Sequence, residues 1–220
     1  VDLSIKPMKI ANQAWQFVVP AVAAGAFGLW LMGRPSTLAA GALIAVLAFG
    51  FAAFTTYFFR DPERALPADG RIYSPGDGVV LSVGREGPGD AVTLRIFLSV
   101  FDVHIQRAPF AGRVTKVAEV PGSFAAAMKD AARGNYRVVM TIEPEGRGPL
   151  VVEQIAGLIA RRIECWRKPG DTVATGEKYG IIYFGSQAAV HFPAGSTCTV
   201  KPGDRVAGGV TPIGEWTSKP

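Results

Sequence analysis

The chain has 220 residues but only two imidazoles, His104 and His191, so the search for a general base is short. His104 lies in Ser99-Val-Phe-Asp-Val-His-Ile-Gln-Arg-Ala-Pro109, where polar residues crowd at the end of an apolar run. A proton-transfer role and an ordinary hydrogen-bonded role are both open for it. His191, in Ala189-Val-His-Phe-Pro193, alternates with apolar neighbours and reads as structural. Asp77, in Ser74-Pro-Gly-Asp-Gly78, reads on local grounds as a turn residue that serves its own backbone. Three Gly-Ser pairs occur, at 122–123, 185–186 and 195–196. The middle pair interrupts two strongly apolar runs, Tyr179–Phe184 and Ala188–Phe192. Glycine reaches backbone angles closed to other residues, so a strained turn at Gly185 can present its carbonyl to the side chain of Ser186. Cys165 and Cys198 are lone thiols in apolar runs and read as structural; with two Cys and two His, no metal site is expected.

Elements must hold these residues in place. From Arg60 onward, short β-branched and apolar runs alternate with Gly, Pro and Asp turns: Gly78–Val83, Val92–Val100, Gly112–Val120, Tyr136–Ile142, Gly157–Trp166, Gly180–Phe184, Ala188–Phe192 and Thr197–Val200. Their length and their breakers predict strands. Only Ser123–Arg133, with Ser123 as N-cap and Gly134 as stop, predicts a helix. There is no βαβ alternation and no nucleotide-type glycine loop. A weak repeat, Lys168-Pro-Gly-Asp-Thr-Val-Ala-Thr-Gly176 and Lys201-Pro-Gly-Asp-Arg-Val-Ala-Gly-Gly209, reads as two strand-turn-strand units. Such hairpins also suit a membrane-anchored barrel of adaptor or carrier type, although no modifiable Lys stands at a hairpin tip.

Residues 1–59 differ from the rest: their only charges are Asp2, Lys6, Lys9 and Arg34. Ile10–Gly33 and Pro35–Phe59 are charge-free runs of 24 and 25 residues, each long enough to cross the hydrocarbon of a bilayer. Lys6 and Lys9 before the first run and Arg60 and Arg64 after the second favour both ends on the cytoplasmic face. A cleaved signal peptide would account for the first run only. Val1 in place of Met suggests a trimmed or processed start. The expected architecture is α+β: a mainly antiparallel β sandwich or barrel-like domain over 60–220, preceded by a hydrophobic helical hairpin over 1–59. The net charge of +3 over 60–220 is too small for a nucleic-acid footprint, so no nucleic-acid partner is expected.

Five blocks, in order, resemble the short prokaryotic phosphatidylserine decarboxylases. They are Tyr57-Phe-Phe-Arg-Asp-Pro-Glu-Arg64, Ser74-Pro-Gly-Asp-Gly78, Phe101-Asp-Val-His-Ile-Gln-Arg-Ala-Pro109, Gln154-Ile-Ala-Gly-Leu-Ile-Ala-Arg-Arg162 and Phe184-Gly-Ser186. Departures exist: Gly76 replaces a more usual Ala, Gln187 stands where Arg or Thr is common, and His191 where an aromatic is usual. Phe101 occupies the place of a second histidine found in longer members, so no role is carried over to it.

The resemblance implies a catalytic domain made as a proenzyme that generates its own pyruvoyl cofactor. His104, oriented by Asp77, would take the proton of Ser186 Oγ, which attacks the Gly185 carbonyl. Cleavage between 185 and 186 would leave a β chain of residues 1–185 and an α chain of 186–220 whose Ser186 has become pyruvoyl. That carbonyl would form a Schiff base with phosphatidylserine in the membrane, release CO2 and yield phosphatidylethanolamine. His104 would be reused as proton donor, and Arg60, Arg64 and Arg107 could meet the lipid phosphate, although each reads first as solvated surface charge. The implied partners are the lipid, the chain's own two fragments as a heterodimer, and further copies in a homo-oligomer. An archaeal-type serine lipid is the alternative substrate.

Overall fold

The computed structural model of the chain describes residues 9–86, 89, 91–126, 130–158 and 161–217. It falls into two compact units, residues 1–63 and 64–220.

The first unit is a helical hairpin. Ala, Leu and other good helix formers build α1 (Trp15–Met32) and α2 (Leu38–Phe58), joined by a turn at Gly33–Thr37. The helices meet through small residues: a Cβ on Gly28 would stand 2.7 Å from Ala45 N, and one on Gly41 only 2.6 Å from Gly28 O. Backbones this close leave the large side chains facing outward, Val46 at 70% and Leu47 at 64% exposure among them. Within each candidate span only 17% of the residues are buried. The core helix of a soluble protein would bury its apolar side chains; here they face out, as in helices that pack by small residues within lipid. Both helices are long and apolar enough to cross a membrane. At its open end β1 (Lys9–Ile10) pairs antiparallel with β2 (Arg60–Asp61), which holds both ends together. Lys6 lies outside the described residues.

The second unit is antiparallel β. In chain order it contains β3 (Ile72–Tyr73), β4 (Gly78–Arg85), β5 (Val92–Leu98), β6 (Ile105–Arg107), β7 (Gly112–Val120), β8 (Arg137–Glu143) and β9 (Leu150–Ile155). Then follow β10 (Ile163–Cys165), β11 (Thr172–Val173), β12 (Lys178–Ile182), β13 (Ser186–Phe192), β14 (Ser196–Cys198), β15 (Arg205–Val206) and β16 (Pro212–Trp216). Eight of them form a curled sheet in the order β11-β7-β8-β9-β13-β5-β4-β15. Two three-stranded sheets, β10-β12-β6 and β14-β16-β3, complete the unit. Ile72, Tyr179 and Ile213 of the small sheets share one core with Leu94, Ile96, Met140, Ala188 and Val190 of the large one.

The sheet order reads the same from either end under a pseudo-twofold between β9 and β13. β7, β8, β9 and β11 correspond to β4, β5, β13 and β15, and the two small sheets correspond to each other. This accounts for the Lys-Pro-Gly-Asp repeat. Each copy is the turn before an outermost strand, closed by the Asp side chain on the Lys N–H (3.0 Å at Asp171, 2.9 Å at Asp204). In each, the glycine N–H joins the neighbouring strand, Gly170 to Val114 O and Gly203 to Val80 O.

The fold class agrees with expectation, while several elements differ. The predicted helix at 123–133 is not continuous: Ser123 bridges Asn135, and only a 3-10 turn, Asp130–Gly134, follows. Residues 127–129 lie outside the described residues. Asn135 explains the difference, because its side chain bonds the backbone of Ala125 and Ala156 and so draws this segment into a loop. Strand β9 was not foreseen, and the run 157–166 contains only β10.

Candidate active site

Ser186 opens β13, which lies between β5 and β9 with Ser186 opposite Leu98 and Gln187 opposite Ile155. The turn before it is strained. Phe184 has φ 59°, the one non-glycine residue at positive φ among the described residues, and Gly185 follows at φ 87°. A bulky side chain in this region costs about 1–3 kcal/mol unless its surroundings enforce it. Ser186 is fully buried and its Oγ has no hydrogen-bond partner among the described residues. An unsatisfied buried hydroxyl costs about 1–3 kcal/mol more. Both destabilising features fall within the three residues Phe184–Ser186.

His104 stands just ahead of β6 and is fully buried. Its Nδ1 lies 3.0 Å from Asp102 O. A carbonyl can only accept, so Nδ1 carries the proton. Nε2 is then the accepting nitrogen, and it takes the Gly185 N–H at 3.3 Å. The basic nitrogen is thus held one residue from the serine hydroxyl. Asp102, which sequence reasoning did not single out, sets this tautomer through its backbone. Its carboxylate meanwhile binds Ser99 N (2.9 Å) and Arg205 Nη1 (3.1 Å) and closes the turn after β5. Only the Asp-x-His spacing in the quoted block hints at it, because the group that acts is a carbonyl every residue has.

Asp77 is tied elsewhere. Its carboxylate takes both ends of the Arg64 fork at 2.7 Å and the Gly208 N–H at 2.8 Å. Arg64 also donates to Gly208 O at 2.5 Å. Neighbouring Gly76 packs on Leu98, the partner of Ser186. The structure therefore brings His104 to the Gly185 N–H, one residue before Ser186, while Asp77 joins Arg64 to the loop beside the strand end. Of the arginines proposed for lipid phosphate, Arg107 is buried on Gly176 O (3.0 Å), and Arg60, in the hairpin unit, lies over the Tyr57 ring.

His191 lies toward the opposite end of β13, on the other face. Nδ1 meets Thr93 Oγ1 at 2.7 Å and Nε2 meets Glu153 Oε1 at 3.3 Å. Burial by itself would raise the Glu153 carboxyl, but the His191 hydrogen bond and charge, with Arg137 and Arg95, outweigh it and hold the pKa below the ordinary value. The half-buried thiols donate to carbonyls, Cys165 to Arg167 and Cys198 to Val200, and burial pushes both upward, away from thiolate reactivity.

A buried, unpartnered serine thus follows a left-handed glycine whose N–H is bound by an imidazole nitrogen. The phosphatidylserine decarboxylase family model matches residues 51–214, and the chain belongs to that family. Among similar proteins, the phosphatidylserine decarboxylase proenzyme of Symbiobacterium thermophilum is 45% identical over 93% of this chain and 94% of its own length. The proenzyme of Solibacter usitatus is 41% identical over 92% and 94%, and that of Streptomyces coelicolor 39% over 96% and 94%.

Two predictions follow from this geometry. Asp77→Asn and Arg64→Leu each strand a partly buried charge and should lower unfolding stability by about 3 kcal/mol in denaturant melts. Because the two side chains share one interaction, the double variant should lose less than the sum; additive losses would remove the pair from this role. For Glu153, a lowered carboxyl pKa contributes stability that is present above the ordinary glutamate range and lost as pH falls through the folded value. The stability gap between wild type and Glu153→Gln should therefore close on acidification, and a gap independent of pH would contradict the assignment.

Proposed function

We propose that the chain is a zymogen that cleaves itself between Gly185 and Ser186 and then decarboxylates phosphatidylserine to phosphatidylethanolamine and CO2. The observation that carries this reading is the convergence of an unpartnered Ser186 Oγ, a left-handed Phe184–Gly185 turn and a His104 Nε2 that accepts the Gly185 N–H within three successive residues.

In the first stage His104 Nε2 takes the Ser186 Oγ proton and the oxygen attacks the Gly185 carbonyl carbon. The C–N bond breaks, the freed amine takes a proton, and an ester joins the two residues. Loss of the Ser186 Cα proton expels the Gly185 carboxylate and leaves dehydroalanine; water then replaces its nitrogen, releasing ammonia. Leaving the left-handed turn relieves backbone strain, which favours the first step. Apo-state hydrogen bonds at catalytic groups are often looser than in the reacting complex, and a shift of one residue takes Nε2 from Gly185 N–H to the hydroxyl. Asp77 supports the site by fixing, with Arg64, the loop that packs on Leu98.

The residues fit a pyruvoyl group formed in place. Its position at the start of β13 is held by ladders on both sides. The fragment 186–220 also retains β14–β16 paired to β3 and β15 paired to β4, so it remains bound as the small partner of a heterodimer. The pyruvoyl carbonyl supplies a condensation site for the lipid amine and a sink for the electron pair that CO2 leaves behind. His104, buried and fixed by Asp102, holds a proton for the product carbon. The hairpin places the enzyme at the membrane, and Lys9, Arg60 and Arg64 at its ends favour the cytoplasmic face.

Denaturing gels with intact mass test the first stage. Wild type should give chains of residues 1–185 and 186–220, the smaller lighter by the mass of ammonia than a serine-initiated peptide. Ser186→Ala should remain whole, and His104→Ala should split at least ~100-fold more slowly. An unsplit wild type with intact Ser186 overturns the reading, as would normal splitting of Ser186→Ala.

A further inference from the structure

Two large apolar side chains near the Gly185–Ser186 peptide keep more than half of their surface exposed. Phe101 is 64% exposed and Leu158 is 58% exposed. Both follow strands that flank β13: Phe101 comes three residues after Leu98, the partner of Ser186, and Leu158 three residues after Ile155, the partner of Gln187. Antiparallel pairing puts both strand ends at the end of β13 that carries Gly185 and Ser186.

The Phe101 turn is a built element. The Asp102 carboxylate accepts from Ser99 N at 2.9 Å, Ser99 Oγ accepts from Phe101 N at 3.1 Å, and Asp102 N bonds Ser99 O at 2.9 Å. These bonds hold the ring outward while Val100, one residue earlier, packs 3.5 Å from the Cβ position of Gly185. An ordered turn that exposes an aromatic ring keeps a cost that water does not return; burial in an apolar medium removes it.

Cations surround these side chains. Arg162 is half exposed, with its guanidinium 5.0 Å from the Tyr183 ring and 2.7 Å from Glu164. Its carbonyl accepts the Tyr183 N–H, two residues before Gly185. Arg205, 71% exposed, pairs with Asp102 behind the Phe101 turn, and Arg161 lies over the Phe124 ring. These three arginines, with the carboxylates of Glu164 and Asp102, form a group of net positive charge among the described residues. Apolar tips with a basic surround are the pattern of interfacial lipid binding: the tips enter the acyl boundary and the cations meet phosphates.

We propose that the rim of the active site is itself a membrane-docking surface, in which Phe101 and Leu158 enter an anionic phospholipid bilayer and Arg161, Arg162 and Arg205 face its headgroups. The surface deepens the lipid-decarboxylase reading and rests on it for its substrate. It draws the headgroup toward Ser186 without requiring the lipid to leave the bilayer.

The test uses the full-length chain in phosphatidylcholine nanodiscs, with and without phosphatidylglycerol, and an environment-sensitive fluorophore on Phe101→Cys or, separately, Leu158→Cys. Lys116→Cys on exposed β7 is the control, and labelled wild type, with only Cys165 and Cys198, sets the background. Both rim labels should shift to the blue and be quenched by doxyl lipids several-fold more than the control, and anionic lipid should increase the quenching. Water-like emission from both rim sites, or quenching equal to the control, overturns the proposal; quenching indifferent to anionic lipid overturns its basic part. Intact mass on the same samples reports chain splitting separately, so failure of the decarboxylase reading is distinguishable from failure of the docking surface.

Discussion

The antiparallel pairing of β13 with β5 on one side and β9 on the other is the constraint on which the remaining structure depends. All seven residues of β13 are buried, and its register decides what each one faces. Ala188, Val190 and Phe192 belong to the core, which places Ser186, of the same parity, on that face. Gln187, Ala189 and His191 face the other way. A slip of one residue would exchange the two sets and carry Ser186 away from His104.

The opposite face shows how such a slip is resisted. Glu153, directly across from Ala189, is joined by His191, Arg137 and the charge of Arg95, which itself binds Glu86 at 2.8 Å. These groups are mostly buried, and a buried charge is tolerable only when paired. A slip of β13 would carry His191 to the face of Leu94, Ile96 and Met140 and away from Glu153. The same ladder that positions Ser186 is therefore protected by ion pairs that never meet it. The place of the Gly185–Ser186 bond at a strand end, not in a free loop, also explains how Phe184 and Gly185 keep their left-handed backbone: the following strand cannot rotate to relax them.

Much of this was legible in sequence because it depends on residue type. The charge-free runs, the single interrupted apolar segment at Gly185-Ser186 and the scarcity of histidine are visible without coordinates. Strand β9 was hidden because Glu153 and Gln154 interrupt its apolar pattern; one joins the outer ion pairs and the other bonds the buried Gln106 at 2.8 Å. The helix at 123–133 failed because Asn135, outside the segment, captures its backbone. The partner of His104 was hidden for a different reason: Asp102 fixes the ring through a carbonyl, while the nearby-looking carboxylate of Asp77 binds an arginine 13 residues upstream.

The pseudo-twofold sharpens what is special about the site. Leu150 of β9 corresponds to Ala188 of β13, because Leu150 pairs with Ile142 as Ala188 pairs with Ile96, and each pair adjoins the same bulge, at Val114/Lys116 and at Val80/Ser82. Gly148 therefore corresponds to Ser186 and Arg147 to Gly185. Ile72 corresponds to Gln106 by their pairing with Gly214 and Gly180, so Gly70 corresponds to His104. Glycine at 148 has no hydroxyl and glycine at 70 no imidazole, so the equivalent end has neither the oxygen nor the ring nitrogen. The symmetry therefore supplies rigidity twice, and the chemistry arises where three side-chain choices, Gly185, Ser186 and His104, coincide on one of two equivalent ends.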